Sequence, residues 1–502
     1  MKFRLLLILI FPFFATAQLS VAKIFSDNMV LQRGQLVHLW GKATPAKKVS
    51  VTFKKKIITT IAKNDSAWSV YFPKQEADTY SLEILIQSGT ESITLKNILI
   101  GDIWVCAGQS NMEWPMVKEM HFKEEINHAD QPLIRLYNPS PAGRYVYGVA
   151  YNDSLNKRLN EDDFYEHVQW QHCDSNTVKD MSAVAYYFAK TIITNEKVPI
   201  GLIHLAIGGA PIETFISRDA LQNSKQFAEK ARGNWLENKS LPNWVRQRGN
   251  ENIGANKNFG YKDDLGLNHA YKPGFAFRCG FRPILPLPIK GVIWYQGESN
   301  SLEKERVVEY KDLQKLLIND YRSKRKQPGM PFYWVQLSSI DTASYGSQYW
   351  PEFRNEQRKL LSEVTNGGMA VCSDIGFKNN VHPTDKKTVG ERLARWALNK
   401  TYFHKEVIPS GPLPLTAKYK NNKVIVSFQY TGDGLQTADD TIIRGFSIDG
   451  KKDVSATIQQ NAVIIKVISK PEYIYYGWKP FTDANLVNSE GLPASTFKIN
   501  VQ

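Results

Sequence analysis

The sequence predicts an α/β domain with a mainly parallel sheet, flanked by a β-sandwich-type unit on each side. Three observations lead to this prediction. Short strand-like segments fill residues 18–96, buried apolar runs alternate with helical periodicities over 97–407, and short strands return over 408–502. Alternating strands and helices are typical of a parallel sheet covered by helices, whereas clustered strands without helical periodicity are typical of sandwiches.

The first 17 residues have the pattern of a signal peptide. Lys2 and Arg4 precede the apolar run Leu5–Phe14, and Ala15–Ala17 has the small-x-small form of a cleavage site. The run is shorter than the roughly 20 residues that span a bilayer. We therefore expect an exported protein, periplasmic or secreted, that does not insert into a membrane.

The N-terminal unit, residues 18–96, is predicted from β-forming residues punctuated by Gly, Pro, Asn and Asp. These residues alternate or cluster in three segments: 37–40, 49–53 and 68–72. The C-terminal unit follows a proline-rich linker at 409–414, and 423–430 is one of its predicted strands.

The central region, residues 97–407, supplies the α/β pattern. Its predicted strands are 98–105, 200–205, 291–295, 332–337 and 369–373. Its predicted helices are 181–194, 307–322, 352–364 and 387–399. The polar, irregular stretch 220–275 is interpreted as an insertion near the rim of the active site.

Composition limits the function classes. The formal net charge is +14 and 12% of the residues are aromatic. The positive charge indicates either a preference for an anionic glycan or a solvated basic surface without a partner. The aromatic residues indicate either surfaces that stack on sugars or a large β-rich core. The sequence contains no dense block of Lys and Arg of the kind that would indicate nucleic-acid binding. The four cysteines fit no zinc spacing and are too few for a disulfide framework.

The motif Gly108–Met112 comes directly after a predicted strand. Ligands of parallel sheets bind beyond the carboxyl ends of the strands. A small polar turn at that place exposes the Ser110 hydroxyl and leaves backbone N–H groups free. A helix-capping serine is the alternative interpretation.

Three further motifs follow strands. The Gly pair in Ile207–Ala210 lets the backbone approach a ligand and could supply an oxyanion N–H. In Trp294–Asn300, Gln296 offers an N–H without titrating, and Glu298 could orient neighbours or bind hydroxyls. His382 is a candidate base for a serine nucleophile, because its pKa lies near neutral pH.

Together, four ordered blocks resemble the sialate O-acetylesterase family, a branch of the SGNH hydrolases that includes acetylxylan-type esterases. They are GQSNMEWPM at 108–116, IGGAPIE at 207–213, GVIWYQGESN at 291–300, and VHPTDK with VGERLA within 381–394. The resemblance implies a flavodoxin-like three-layer α/β/α catalytic domain. It also implies an acetyl-enzyme mechanism that needs no metal or organic cofactor.

The resemblance also assigns roles to individual residues. Ser110 would be the nucleophile and His382 the general base and then the general acid. The backbone N–H groups of Ser110 and Gly209 would form the oxyanion hole with the Gln296 side chain. The predicted substrate-binding residues are Gln109, Asn111 and Glu298.

The acid behind the histidine departs from the family pattern. SGNH hydrolases often have an acid three residues before the histidine, where this chain has Asn379. Asp374 is the favoured acid, with Glu298 or a Ser–His dyad as alternatives. Two milder departures are Ala210, where Thr is usual, and the sequence FAFRCGFRPILPL at 275–287, which leaves the substrate preference open.

These observations predict an exported carbohydrate O-acetylesterase. Its partner would be an O-acetylated carbohydrate, such as sialic acid, xylan, xyloglucan or pectin, and the oligomeric state stays open. Two alternatives are a lipid-ester or thioester hydrolase and a glycan-binding module without catalysis.

Overall fold

The computed structural model describes residues 18–256, 260–342 and 345–502. The predicted signal peptide at 1–17 lies outside the described residues. Within these ranges, no helix combines the length and the apolar character needed to cross a bilayer.

Six parallel strands form the central sheet. From one edge to the other they are Gln131–Tyr137, Ile200–His204, Glu91–Gly108, Gly291–Tyr295, Phe332–Val335 and Gly367–Ala370. Gln171–Cys173 pairs antiparallel with the first of them. When Gln131–Tyr137 and Gln171–Cys173 are left out, five strands remain. Numbered in chain order, they lie across the sheet in the order 2-1-3-4-5, as in a flavodoxin-like sheet. The predicted fold class is thereby confirmed.

Helices pack on this sheet in two pairs. Ala183–Glu196 packs on Lys387–Lys400, and Lys304–Arg325 packs on Trp350–Lys359. Shorter helices lie in the connections: Ser110–Glu113, Phe122–Glu125, Asp153–Arg158, Arg218–Asn223 and Asn243–Ile253.

The apolar pattern explains these positions. The strands Ile200–His204 and Gly291–Tyr295 are buried at every residue, as expected of parallel strands covered on both faces. The helix Ala183–Glu196 begins after Ser182, whose side chain accepts a hydrogen bond from the Ala185 N–H.

The N-terminal unit shares a strand and a core with the α/β domain. One of its sheets contains Ser20–Val21, Val37–Lys42 and Ala67–Phe72. The other contains Val30–Gln32, Lys48–Phe53, Lys56–Ile61, Asp78–Ser88 and the first part of Glu91–Gly108. The second part of that long strand enters the central sheet, so the boundary expected after residue 96 lies inside one continuous strand. A single hydrophobic core includes residues of both units.

The C-terminal unit has a hydrophobic core of its own. Its strands are Leu413–Lys420, Lys423–Gln429, Leu435–Thr437, Phe446–Ser447, Ala456–Gln459, Ala462–Lys466, Tyr473–Tyr476, Leu486–Asn488 and Phe497–Asn500. The fully buried Arg354 fixes this unit to the α/β domain. Its guanidinium donates to the carbonyl oxygens of Gly477 at 3.1 Å and Lys479 at 2.5 Å.

Candidate active site

Ser110 stands at the carboxyl end of the central strand. Gly108 closes that strand at φ +135°, and a Cβ there would lie 2.1 Å from the carbonyl oxygen of Tyr295 on the adjacent strand. Only glycine tolerates that approach. The Gln109 N–H donates to the same Tyr295 oxygen at 2.9 Å, and the helix Ser110–Glu113 follows at once. The serine therefore starts a helix, where its N–H has no intrahelical acceptor.

The structure brings Ser110 and His382 together. The Ser110 Oγ lies 2.8 Å from the His382 Nε2, although 272 residues separate the two in the sequence. The imidazole stacks on Trp114, with ring centroids 5.3 Å apart and planes inclined by 25°. The backbone N–H of His382 donates to the Asn380 Oδ1 at 2.9 Å, which holds the loop that carries the histidine. Stacking on Trp114 and the contact with Ser110 place the ring where it can take the proton of the serine.

The surroundings of His382 favour its neutral form. Burial, together with the smaller effects of the cations Lys386 and Lys118, lowers its pKa to about 4. Burial also lowers the pKa of Lys386 to about 7. The Lys386 Nζ donates to the Asn111 Oδ1 at 2.5 Å, and Asn111 directly follows Ser110 in the chain. At neutral pH the imidazole is thus available as a base.

The position of Asp374 corrects its expected role. Its two carboxylate oxygens accept from the Arg392 guanidinium at 2.7 Å each, and no hydrogen bond joins it to His382. Across the ranges that the structure covers, no carboxylate hydrogen bonds His382. Arg392 lies in the second turn of the helix Lys387–Lys400. It forms an ion pair with Asp374, the acid that the sequence analysis had assigned to His382. The geometry is that of a Ser–His dyad whose ring is oriented by stacking.

Gly209 meets the requirement for an oxyanion donor. It adopts φ +71° and borders the same cavity as Ser110. Both peptide units that flank Gly209 are held, since the Tyr271 hydroxyl donates to the Gly208 oxygen and the Ser299 hydroxyl to the Gly209 oxygen, each at 2.9 Å. The Gly209 N–H donates to no acceptor among the described residues.

Gln296 does not reach the cavity. Its side chain is fully buried, and its Nε2 donates to the Asn300 Oδ1 at 2.8 Å and the Gln109 Oε1 at 3.1 Å. The expected direct role of Gln296 in the oxyanion hole is corrected, because its N–H groups are already engaged. The Gln109 Oε1 also accepts from the Ser299 N–H at 3.2 Å. These donors fix the orientation of the Gln109 amide, and Gln109 borders the cavity.

The other two predicted substrate-binding residues belong to one buried network. The Asn111 Nδ2 donates to the Glu298 Oε1, and also to the Val381 oxygen at 3.0 Å. Asn111 is buried and does not border the cavity, whereas Glu298 does. Burial raises the pKa of Glu298, and its Oε2 has no hydrogen-bond partner. Asn111 therefore positions Glu298, which faces the ligand space.

The cavity beside Ser110 has a volume of about 520 Å³, within the range of small-molecule sites. Several residues that line it are absent from the sequence prediction: Tyr147, Trp244, Arg248, Leu302 and Tyr345. Trp244 and Arg248 lie on the helix Asn243–Ile253, inside the stretch interpreted as an insertion near the rim. The sequence gives one indication that these two residues act together: they are four residues apart, which places both on the same face of a helix.

One group in the described part of the chain could bring three metal ligands together. The ligand atoms of Glu119, His121 and Asp385 lie within 4.8 Å of one another. They do not line the cavity, and Glu119 and Asp385 already accept hydrogen bonds from His121 and Thr388. The chemistry available to Ser110 and His382 uses no metal ion.

Comparisons with known proteins agree with this geometry. Residues 282–399 match the family model described as a carbohydrate esterase, sialic acid-specific acetylesterase. Human sialate O-acetylesterase is 28% identical, covering 82% of this chain and 76% of the relative, and the mouse enzyme is 26% identical, covering 78% and 75%. The crystal structure of a carbohydrate acetylesterase from Xanthomonas citri superimposes with a TM-score of 0.77 at 26% identity, covering 96% of this chain and 99% of the other.

Fold and relatives define the class first: this protein is a carboxylic ester hydrolase with an SGNH-like fold. Within that class, the chain is similar to the sialate O-acetylesterases, both in residues 282–399 and over most of its length. The resemblance carried by the four sequence blocks is thereby confirmed.

Replacing Asp374 by asparagine tests the corrected role of that residue. We expect kcat to stay within about threefold of the wild type, because Asp374 bonds Arg392 and makes no hydrogen bond to His382. The lost ion pair should appear as a lower unfolding temperature instead. Steady-state kinetics and thermal unfolding, with Asn379→Ala as the matched control, provide the measurement. A loss near 10⁴-fold, typical of removing the acid of a triad, would restore Asp374 as the orienting acid.

Replacing Lys386 by methionine tests the electrostatic control of His382. Only the neutral imidazole acts as the base, so kcat/KM should fall below a pH near the His382 pKa of about 4. Removing the nearby cation raises that pKa, and the acid limb of the pH profile should move to higher pH. Lys387→Met removes a neighbouring positive charge and should leave the limb in place. An unchanged or downward-shifted limb in Lys386→Met would contradict this account.

Proposed function

We propose that Ser110 and His382 are the nucleophile and base of a carbohydrate O-acetylesterase. The observation that supports this most directly is the 2.8 Å contact between the Ser110 Oγ and the His382 Nε2 at the mouth of a cavity. The same contact argues against a glycan-binding module without catalysis, because such a module has no need of an activated serine.

The reaction follows from these positions. The His382 Nε2 takes the hydroxyl proton as the Ser110 Oγ attacks the acetyl carbonyl carbon. The oxyanion that forms is stabilised by the N–H groups of Ser110 and Gly209. His382 then gives its proton to the departing sugar oxygen, which leaves an acetyl-enzyme. Water, which gives a proton to the same histidine, then attacks the acetyl carbon. The bond to the Ser110 Oγ breaks, acetate leaves, and the histidine returns the proton to the serine.

The third oxyanion donor in this proposal is the side chain of Gln109 rather than that of Gln296. Gln109 borders the cavity, and the donors on its Oε1 fix which way its amide nitrogen points. An oriented N–H in a water-poor site stabilises a developing negative charge without reorganising. Gln296 lies behind Gln109 and orients it, because the Gln296 Nε2 donates to the Gln109 Oε1.

The cavity supports a sugar ester rather than a long-chain ester. Tyr147, Trp244 and Tyr345 line it beside polar groups, and aromatic rings present flat faces to the C–H groups of a sugar. The matching relatives are named for sialate and carbohydrate acetyl esters. An O-acetylated sialic acid is the first candidate substrate, and acetylated xylan, xyloglucan or pectin are the alternatives. Together with the N-terminal pattern, this supports an enzyme exported to where such glycans occur.

Acetate release tests the proposed function. Wild-type protein should release acetate from at least one O-acetylated sialic acid, xylan, xyloglucan or pectin. Ser110→Ala and His382→Ala should each lower kcat by at least about 10⁴-fold, because the two side chains act as one unit. Equal release by wild type and Ser110→Ala would exclude this catalytic role. Faster cleavage of p-nitrophenyl esters with long acyl chains than of the acetate would favour the lipid-ester alternative.

A matched pair of variants tests the assignment of the oxyanion donor. Gln109→Met removes the N–H that faces the cavity and should lower kcat by about 10² to 10³-fold. Gln296→Met removes only the group behind it and should cost less. Thermal unfolding of both variants identifies any loss caused by the buried amide network. The reverse ranking in correctly folded variants would return the role to Gln296.

A further inference from the structure

Arg248 occupies a distinctive position in the wall of the cavity. It lies on the helix Asn243–Ile253, one turn after Trp244. The Trp244 Nε1 donates to the Ser299 oxygen at 3.2 Å, which fixes the helix to the loop that follows strand Gly291–Tyr295. Residues four apart share a helix face, so anchoring Trp244 also brings Arg248 to the cavity.

Two aromatic rings position the guanidinium. The Arg248 Cζ lies 5.8 Å from the ring centroid of Trp244 and 5.6 Å from that of Tyr147. Both rings also line the cavity, and the Arg248 side chain is 23% exposed. Contact with aromatic faces orients a guanidinium without using its N–H groups.

The hydrogen-bonding capacity of Arg248 is almost unused. Its nearest acidic partner is Glu251, whose Oε2 lies 3.5 Å from the Arg248 Nε and whose side chain is 49% exposed. That Nε is buried without a hydrogen-bond partner. The terminal nitrogens of Arg354 and Arg392 donate to protein oxygens, whereas those of Arg248 donate to no acceptor in the described part of the chain. A planar fork of free donors matches a carboxylate, which accepts two parallel hydrogen bonds.

The charges around the cavity favour an anion. Glu298, the acidic side chain that lines it, accepts a hydrogen bond from Asn111, which in turn accepts one from the cation Lys386. On the side of His382, Lys118 lies 5.8 Å from the Trp114 ring centroid, and Trp114 stacks on the catalytic imidazole. Arg248 is thus the basic side chain of the lining, and the negative charge of Glu298 is partly offset by Lys386 behind Asn111.

We infer that Arg248 binds the carboxylate of an acidic sugar, so that the preferred substrate is an O-acetylated sialic or hexuronic acid rather than a neutral glycan. This inference rests on the proposed function of the same cavity. It assigns to Arg248 a role in substrate selection, separate from the bond-breaking step at Ser110. The two kinds of acidic sugar share the carboxylate that the arginine would recognise.

The test compares each acid with its own carboxymethyl ester. Acetate release gives kcat/KM for an O-acetylated sialic acid and its methyl ester, and for an O-acetylated hexuronic acid and its methyl ester. Wild-type protein should prefer at least one of the acids over its ester by about tenfold or more, the usual contribution of hydrogen bonds to charged groups. In Arg248→Gln that preference should fall to near one, and in Arg248→Lys it should be partial, because the charge remains and the fork is lost.

Arg246→Gln is the matched control. It removes one positive charge from the same helix, and Arg246 bonds to Leu241 and Asn243 outside the cavity. It should keep the wild-type preference. Equal wild-type turnover of acid and ester would overturn the inference even if Arg248→Gln failed to fold. An equal loss of preference in Arg246→Gln and Arg248→Gln would also overturn it. Failure of the proposed function looks different: wild type and Ser110→Ala would then release acetate equally from every substrate.

Discussion

The close approach of Gly108 to the carbonyl oxygen of Tyr295 determines the geometry of the whole site. A Cβ at Gly108 would meet that oxygen at 2.1 Å, so two adjacent strands come together here as only glycine allows. The chain can then bond back through the Gln109 N–H and turn at once into a helix that begins with Ser110. This turn lies at the carboxyl end of the central strand, where the direction of the sheet connections reverses and ligands of such sheets bind.

Behind this turn runs a buried chain of polar groups. The Gln109 Oε1 accepts from Gln296 at 3.1 Å, Gln296 donates to Asn300 at 2.8 Å, Asn300 donates to Glu213 at 3.0 Å, and Glu213 accepts from Lys230 at 2.9 Å. Each of these side chains is buried. A buried polar chain is costly unless its members satisfy one another, and a satisfied chain is rigid. Its contribution is the fixed orientation of Gln109 at the cavity.

Much of the fold and part of the site could be predicted from the sequence. The strand Gly291–Tyr295 and the helix Lys387–Lys400 lie where apolar runs and helical periodicity indicated them. The pairing of Ser110 with His382 was expected because both follow strands, and the 2.8 Å contact agrees with it. The role expected of Asp374 failed, because a sequence does not show which cation a carboxylate will meet, and Arg392 is 18 residues away on a helix.

The amino-acid sequence by itself determined the α/β order of the elements, the serine and histidine, and the glycines that only certain turns accept. These properties are local, since they depend on residue type and on spacing along the chain. Tertiary structure alone decided that Gln109 rather than Gln296 borders the cavity. It also decided that Asp374 bonds Arg392 instead of His382, and that Arg248 lines the cavity wall. Those outcomes depend on competition between partners far apart in the sequence, and packing resolves that competition only once the strands and the inserted helix are in place.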